Sequence, residues 1–97
     1  MNKSVLQKAI YKTIASHISP TEYKIFLFGS FAKGEDNRTS DIDIGIEGKQ
    51  PLSARQKFQI TDELEKLPTL KRFDLVDFKS VSPNFYVTAK STIIYLN

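Results

Sequence analysis

Cysteine is absent from the 97 residues of this chain. That absence excludes disulfides, thiolate metal sites and cysteine nucleophiles together, and it fits an intracellular chain. Long apolar runs are missing as well: none approaches the roughly 18 residues that a membrane-spanning helix needs. The N-terminal stretch, residues 1–17, interrupts its apolar pattern with charges and has no signal-peptide core. The sequence therefore reads as soluble and cytoplasmic. Charge of one sign is scarce too. A net charge of +3, spread evenly, is too weak to point to nucleic acid by itself, though it suits a polyphosphate ligand or a partner with an acidic face. Neither an internal repeat nor a low-complexity tract occurs. What is present suffices for one core: 40% of the residues are hydrophobic and seven are Phe. Such a composition argues against disorder and, at this length, indicates a single domain of modest stability.

Strands and helices alternate along the chain. Residues 3–17 predict a helix with Val5, Leu6, Ala9, Ile10 and Thr13 on one side, and Pro20 marks the break after it. Residues 23–28, Tyr-Lys-Ile-Phe-Leu-Phe, have the length and apolar content of a buried strand. Ser30 to Gly34 can form one helical turn, and residues 35–39 are polar and read as a loop. From Ser40 to Glu47 the pattern alternates: Ile42, Ile44 and Ile46 face one way, Asp41, Asp43, Gly45 and Glu47 the other. Pro51 suits the first turn of a further helix. Leu52, Ile60, Leu64 and Leu67 share its apolar side, Phe58 points away, and Pro68 closes it. Residues 72–78 predict a third strand, 83–90 a short helix and 92–96 a last short strand. The pattern is that of an α/β or α+β domain. The first two strands are joined by too few residues for a crossover helix, so the sheet should be mixed and flanked by helices.

The chemistry lies in three features. Gly29-Ser30 follows an apolar strand directly. Asp41-Ile42-Asp43 lies on the next strand, and Asp74 near the start of the third. Asp41 and Asp43, two apart in a strand, project from the same face about 6.5 Å apart at Cα. That spacing suits a pair of divalent cations roughly 3.5–4 Å apart. The hard cation Mg²⁺ prefers carboxylates, water and substrate phosphates. Asp74 can join them if its strand lies beside the second. Gly29 permits close backbone approach and positive φ, and Ser30 opens a helical turn whose free N–H groups can bind phosphate oxygens. Gly34 gives the same freedom at the other end of that turn, and Lys33 can reach a phosphate or lie in solvent. A Gly-Ser turn alone carries no signal, and an isolated Asp-x-Asp is usually a solvated strand edge. Here the isoleucines fix the strand's register, so the carboxylates must share the opposite face. With Glu47 beyond them they repel one another unless a cation intervenes.

The sequence Gly29-Ser30, ten residues, then Asp41-Ile42-Asp43 resembles the GSX10DXD motif of minimal nucleotidyltransferase (MNT) domains, in the DNA polymerase β-like superfamily. The likeness runs through Gly29-Ser30-Phe31-Ala32-Lys33-Gly34 and Ser40-Asp41-Ile42-Asp43-Ile44. The segment Phe73-Asp74-Leu75-Val76-Asp77 resembles the strand that carries the family's third carboxylate. It places that group at Asp74, with Asp77 as a rival; alternation puts the two on opposite faces, so only one can join the site. The resemblance covers nearly the whole chain, so residues 1–97 are read as one domain of this kind. It implies a polymerase-β-like fold, ATP as substrate and a two-metal Mg²⁺ site held by Asp41, Asp43 and Asp74. Gly29, Ser30, Lys33, Gly34 and Ser40 are implied around the nucleotide. In the implied reaction an acceptor attacks the α-phosphorus in line and pyrophosphate leaves.

Relatives that modify antibiotics or extend RNA carry a further helical domain for the acceptor, which this chain lacks. It would borrow acceptor recognition from a partner or from an oligomer of itself. Chains of this size resemble antitoxins of toxin–antitoxin pairs whose partner is a helical HEPN ribonuclease, AMP being added to a tyrosine beside the ribonuclease active site. That resemblance implies protein adenylylation, with neutralisation of a partner by contact and transfer to a small-molecule antibiotic as alternatives. Among other residues, the lone His17 is expected to cap or pack, and Phe31 either to stack on nucleotide or to seal its loop. Phe58 is expected to pack elsewhere or to mark a partner surface, and Arg38 to lie in the solvated loop.

Overall fold

The computed structural model describes residues 1–35 and 41–97. Helix α1 (Lys3–Ala15) begins where the Asn2 side chain accepts the Val5 N–H at 2.8 Å, an N-cap that satisfies one of the unpaired first-turn donors. It buries Leu6, Ile10 and Ile14. Val5, expected on that stripe, is instead 47% exposed. Leu6, Ile10 and Ile14 recur every fourth residue on one face, and Val5 sits about 100° off it. After α1 come β1 (Tyr23–Phe28), α2 (Gly29–Ala32), β2 (Ile42–Gly48), α3 (Ala54–Leu64), β3 (Phe73–Asp77), α4 (Pro83–Ala89) and β4 (Ile94–Tyr95).

The strands form a mixed sheet in the order β3-β2-β1-β4. β1 runs antiparallel to both β2 and β4, and β2 parallel to β3. Helix α3 begins later than expected. Ser53 accepts the Gln56 N–H at 3.0 Å and the Gln56 side chain accepts the Ser53 N–H at 2.9 Å. This reciprocal capping box sets the helix start, so Pro51 lies before the helix rather than in its first turn. Leu52 and Leu67 pack against the core from the flanking turns.

Both faces of the sheet are covered, by different chemistry. One face presents Ile25, Leu27, Ile42, Ile44, Ile46 and Leu75 to the apolar sides of α1 and α3. The alternation in β2 is therefore as read from the sequence: its three isoleucines are fully buried. The turn after α1 is tied to α3 by His17, whose Nε2 lies 2.7 Å from Glu63 Oε2. The other face is aromatic. Phe26, Phe28 and Phe78 are buried there beside Val76, Val81 and Tyr86, with the Phe26 and Phe78 rings 4.8 Å apart edge to face. Gly45 makes room for this layer, since a Cβ at 45 would overlap the Phe26 ring and lie 2.8 Å from Phe78 Cε1. Among the described residues no helix is long and apolar enough to cross a membrane.

Candidate active site

The parallel register of β2 and β3 sets Asp43 beside Asp74. Residues paired across neighbouring strands share a face, on backbones about 4.8 Å apart. Asp41 lies one residue before β2 and two before Asp43, so the three carboxylates named from the sequence gather around Asp43. Its carboxyl titrates above the ordinary carboxylate range. Burial is the largest cause, then the charge of Asp74, then that of Asp41. Asp41 and Asp74 are exposed and Asp43 half-buried, an arrangement open to a ligand from solvent.

β1 delivers the Gly-Ser turn to the same place. Phe28 is the register partner of Asp43 across the antiparallel pair, and the chain turns into α2 one residue later. Gly29 has φ +72°. A Cβ at this position would overlap Asp43 Oδ2 and lie 3.2 Å from its Cγ, so glycine is required by conformation and by space at once. Phe28, at the N-cap of α2, gives no side-chain hydrogen bond to the first turn. Ser30 is half-buried in that turn and Lys33 is exposed at its end. Gly34, with φ +77°, closes α2. Its N–H donates to Phe31 O at 3.1 Å and the Glu35 N–H to Ser30 O at 2.9 Å, the paired bonds of a Schellman cap. The conformation of Gly34 is thus explained by helix termination. Ser40 and Arg38, expected in the loop leading to Asp41, lie outside the described residues.

Two alternatives left open by the sequence are separated by geometry. Asp77 Oδ2 accepts the Leu52 N–H at 2.7 Å and its Oδ1 the Lys79 N–H at 3.0 Å. It is the register partner of Ile46 and so lies on the helix-side face, away from Asp43. Phe31 is 2% exposed and belongs to the main core, with the Lys3 and Lys71 ammonium groups 5.3 and 5.8 Å from its ring centroid. It seals the turn.

One expectation is corrected. Glu47 does not add to the repulsion at the carboxylates. It accepts the Tyr86 hydroxyl at 2.7 Å and the Lys90 ammonium at 2.8 Å. Burial alone would raise its pKa, but the hydrogen bonds from Lys90 and Tyr86 outweigh it and hold the carboxyl below its ordinary range. The Lys90 Nζ also lies 4.9 Å from the centroid of Phe26 and 5.1 Å from that of Tyr86. This cluster fastens α4 over the aromatic face. Sequence reasoning passed over it, although Phe26 and Phe28 at alternate positions of β1 signal a second apolar face.

The donor chemistry at Asp43 fits magnesium. All donors are hard carboxylate oxygens, and their mutual repulsion, felt in the raised pKa of Asp43, is what a cation would relieve. Among the described residues no three acidic or imidazole side chains converge closely enough to enclose an ion by themselves. Magnesium rarely asks for that, since it commonly takes one or two carboxylates and completes its shell with water and substrate phosphates.

Known proteins resemble this chain in sequence and in fold. The profile of the family described as "Polymerase beta, Nucleotidyltransferase" matches residues 8–97. The Haemophilus influenzae protein named "Probable protein adenylyltransferase MntA" is 31% identical over 77 residues, which cover 79% of this chain and 67% of that protein. Among solved structures, a toxin–antitoxin complex with AMP-PNP contains a chain 28% identical to this one, with a TM-score of 0.78 over 94% of this chain and 72% of that one. The complex of a tri-AMPylated Shewanella oneidensis HEPN toxin with its MNT antitoxin gives a TM-score of 0.75 at 24% identity, covering 99% of this chain and 72% of its counterpart. At that identity the likeness is one of fold.

Proposed function

Because the chain belongs to the polymerase β nucleotidyltransferase family, we propose that it transfers AMP from ATP to a hydroxyl on a protein partner, a tyrosine of a HEPN-type ribonuclease. The observation that carries the reading is the pairing of Asp43 with Asp74 beside the Gly29 turn. It supports the reading by setting the carboxylates beside a backbone turn that is open to a phosphate. The relative named "Probable protein adenylyltransferase MntA" and the neighbour from a toxin–antitoxin structure with AMP-PNP support ATP and a protein acceptor.

In this reading the triphosphate lies over the Gly29-Ser30 turn. Backbone N–H groups at the start of α2 and the Ser30 hydroxyl donate to its oxygens, and Lys33, with Ser40, flanks the nucleotide. Asp41, Asp43 and Asp74 would hold Mg²⁺, which would neutralise the triphosphate and lower the pKa of the acceptor hydroxyl. Asp74 lies on the acceptor side and receives the hydroxyl proton, directly or through water. The acceptor oxygen forms its bond to the α-phosphorus as the bond to the β-phosphate bridging oxygen breaks, and pyrophosphate leaves. Positioning and charge neutralisation supply most of the acceleration.

The test is the intact mass of a HEPN partner co-expressed with wild type or with Asp43→Asn. Gain of one or more AMP units with wild type alone is expected. An unmodified partner held in a stable complex by both versions would replace transfer with neutralisation by contact.

A further inference from the structure

We infer that Phe85 is the platform on which the nucleotide's base stacks. This rests on the transfer reading above and adds the base to a site otherwise described only for phosphates. α4 carries no buried residue, yet it is firmly seated. Ser82 caps it by accepting the Phe85 N–H at 3.2 Å, and Tyr86 and Lys90 both bind Glu47 on β2. These contacts hold α4 against the aromatic face, with Phe85 on its first turn.

The Phe85 ring meets Phe28 at 6.0 Å, edge to face, and Phe78 at 5.8 Å. Phe28 is the residue paired with Asp43 and the one that precedes Gly29. A chain of contacts therefore runs from the carboxylates through Phe28 to Phe85, all on the aromatic face of the sheet. Two rings support Phe85, and the residue is still 42% exposed. Two other aromatics are more exposed: Tyr95 at 51% stands on the edge strand β4 opposite Phe26, on the far side of β1 from the carboxylate strands, and Phe58 at 71% stands on α3, across the sheet from the carboxylates.

A triphosphate at the Gly29 turn leaves its nucleoside to extend over the sheet face beside it. A half-exposed ring fixed in place is what a purine needs there. Stacking of this kind depends on the π-face and not on the hydrogen-bonding edge, so Phe85 should strengthen binding of ATP and GTP alike. The choice of base must then come from elsewhere.

The chain contains no Trp and four Tyr, so Phe85→Trp places a single tryptophan at the platform, excited selectively at wavelengths the tyrosines do not absorb. Binding is measured with Mg²⁺-ATP and, as the baseless probe, Mg²⁺-tripolyphosphate. ATP is expected to quench Phe85→Trp while tripolyphosphate leaves it unchanged, and Phe58→Trp should respond to neither. Phe85→Leu keeps an apolar side chain against Phe28 and Phe78. It should weaken ATP binding roughly 5- to 150-fold, the range of aromatic–base stacking, with tripolyphosphate affinity unaltered. Equal losses for the two ligands, or an unquenched Trp with ATP bound, would overturn the platform and leave the transfer reading standing. A wild-type protein that binds neither ligand would overturn both.

Discussion

Replacing Gly29 by Ala separates two costs that the structure superimposes at one residue. The first is conformational. A Cβ in the left-handed region costs about 1–2 kcal/mol, and Gly29 sits there at φ +72°. The second is spatial, because the new methyl overlaps the Asp43 carboxylate; forcing a methyl into occupied space typically costs about 1–3 kcal/mol. Gly34 is the internal reference. It has nearly the same backbone, φ +77°, and nothing within 4 Å of an added Cβ. Gly34→Ala should therefore lose about 1–2 kcal/mol and Gly29→Ala about 2–5 kcal/mol. Urea unfolding of both variants, in the wild-type and Asp43→Ala backgrounds, completes a double-mutant cycle. Shortening Asp43 removes the overlapped atoms, so the cost of Gly29→Ala should fall toward that of Gly34→Ala. Equal costs for the two glycines, or a Gly29→Ala penalty untouched by Asp43→Ala, would refute the claim that Gly29 is held by the carboxylate as well as by its backbone.

Asp43→Asn should abolish transfer and yet stabilise the metal-free protein. Like charges on adjacent strands cost roughly 0.2–1 kcal/mol, and solvent over the half-exposed site keeps the gain near 0.5 kcal/mol. The melting temperature should then rise by about 2–4 °C, and a fall would count against the repulsion. The pH dependence follows from the same group. A carboxyl with a raised folded pKa contributes stability that is present below its ordinary pKa and lost as the pH rises through the raised value, so the wild-type minus Asp43→Asn difference should open across that interval and then stay level. Asp74→Asn should remove transfer with little effect on folding, whereas Asp77→Ala, which strips the acceptor from two N–H groups, should cost about 1–3 kcal/mol without acting on bound nucleotide; the opposite pattern would exchange their roles. Glu47→Gln should destabilise by about 1–2 kcal/mol. Because its folded pKa is lowered, that contribution should be present above the ordinary Glu pKa and vanish as the pH falls through the lowered one, as urea unfolding across acid pH would show.

Much of the fold was legible because its signals are local. The isoleucine alternation in β2, the aromatic β1 and the helix-ending prolines each declare an element within a few residues. Boundaries failed where a cap decided them. Pro51 looked like a helix start, but Ser53 with Gln56 outbid it, and Val5 lost its place on α1 to the better-spaced Ile14. The aromatic face was legible only in the alternation of Phe26 and Phe28, because Phe78, one residue past β3, and Phe85 on α4 join them through the tertiary fold alone. Glu47 was misread for the same reason: its partners, Tyr86 and Lys90, lie about forty residues on, beyond any local pattern.

The site was legible in part for a different reason. Gly29-Ser30 and Asp41-Ile42-Asp43 are close in sequence, but the meeting of Asp43 with Asp74 depends on strand register, and register belongs to the core. Ile42, Ile44 and Ile46 are buried together with Leu75, and side chains along a strand alternate with period two. A slip of β3 by one residue would turn Leu75 out to the aromatic face and drive Asp74 in among the isoleucines. The apolar face thus forbids the one-residue slips that would put the two carboxylates on opposite faces of the sheet. Repulsion between Asp43 and Asp74 favours that separation, but by a few tenths of a kcal/mol, against roughly 2 kcal/mol for exposing one buried leucine. The core wins, and the sheet holds two like charges together where a cation and a triphosphate can use them.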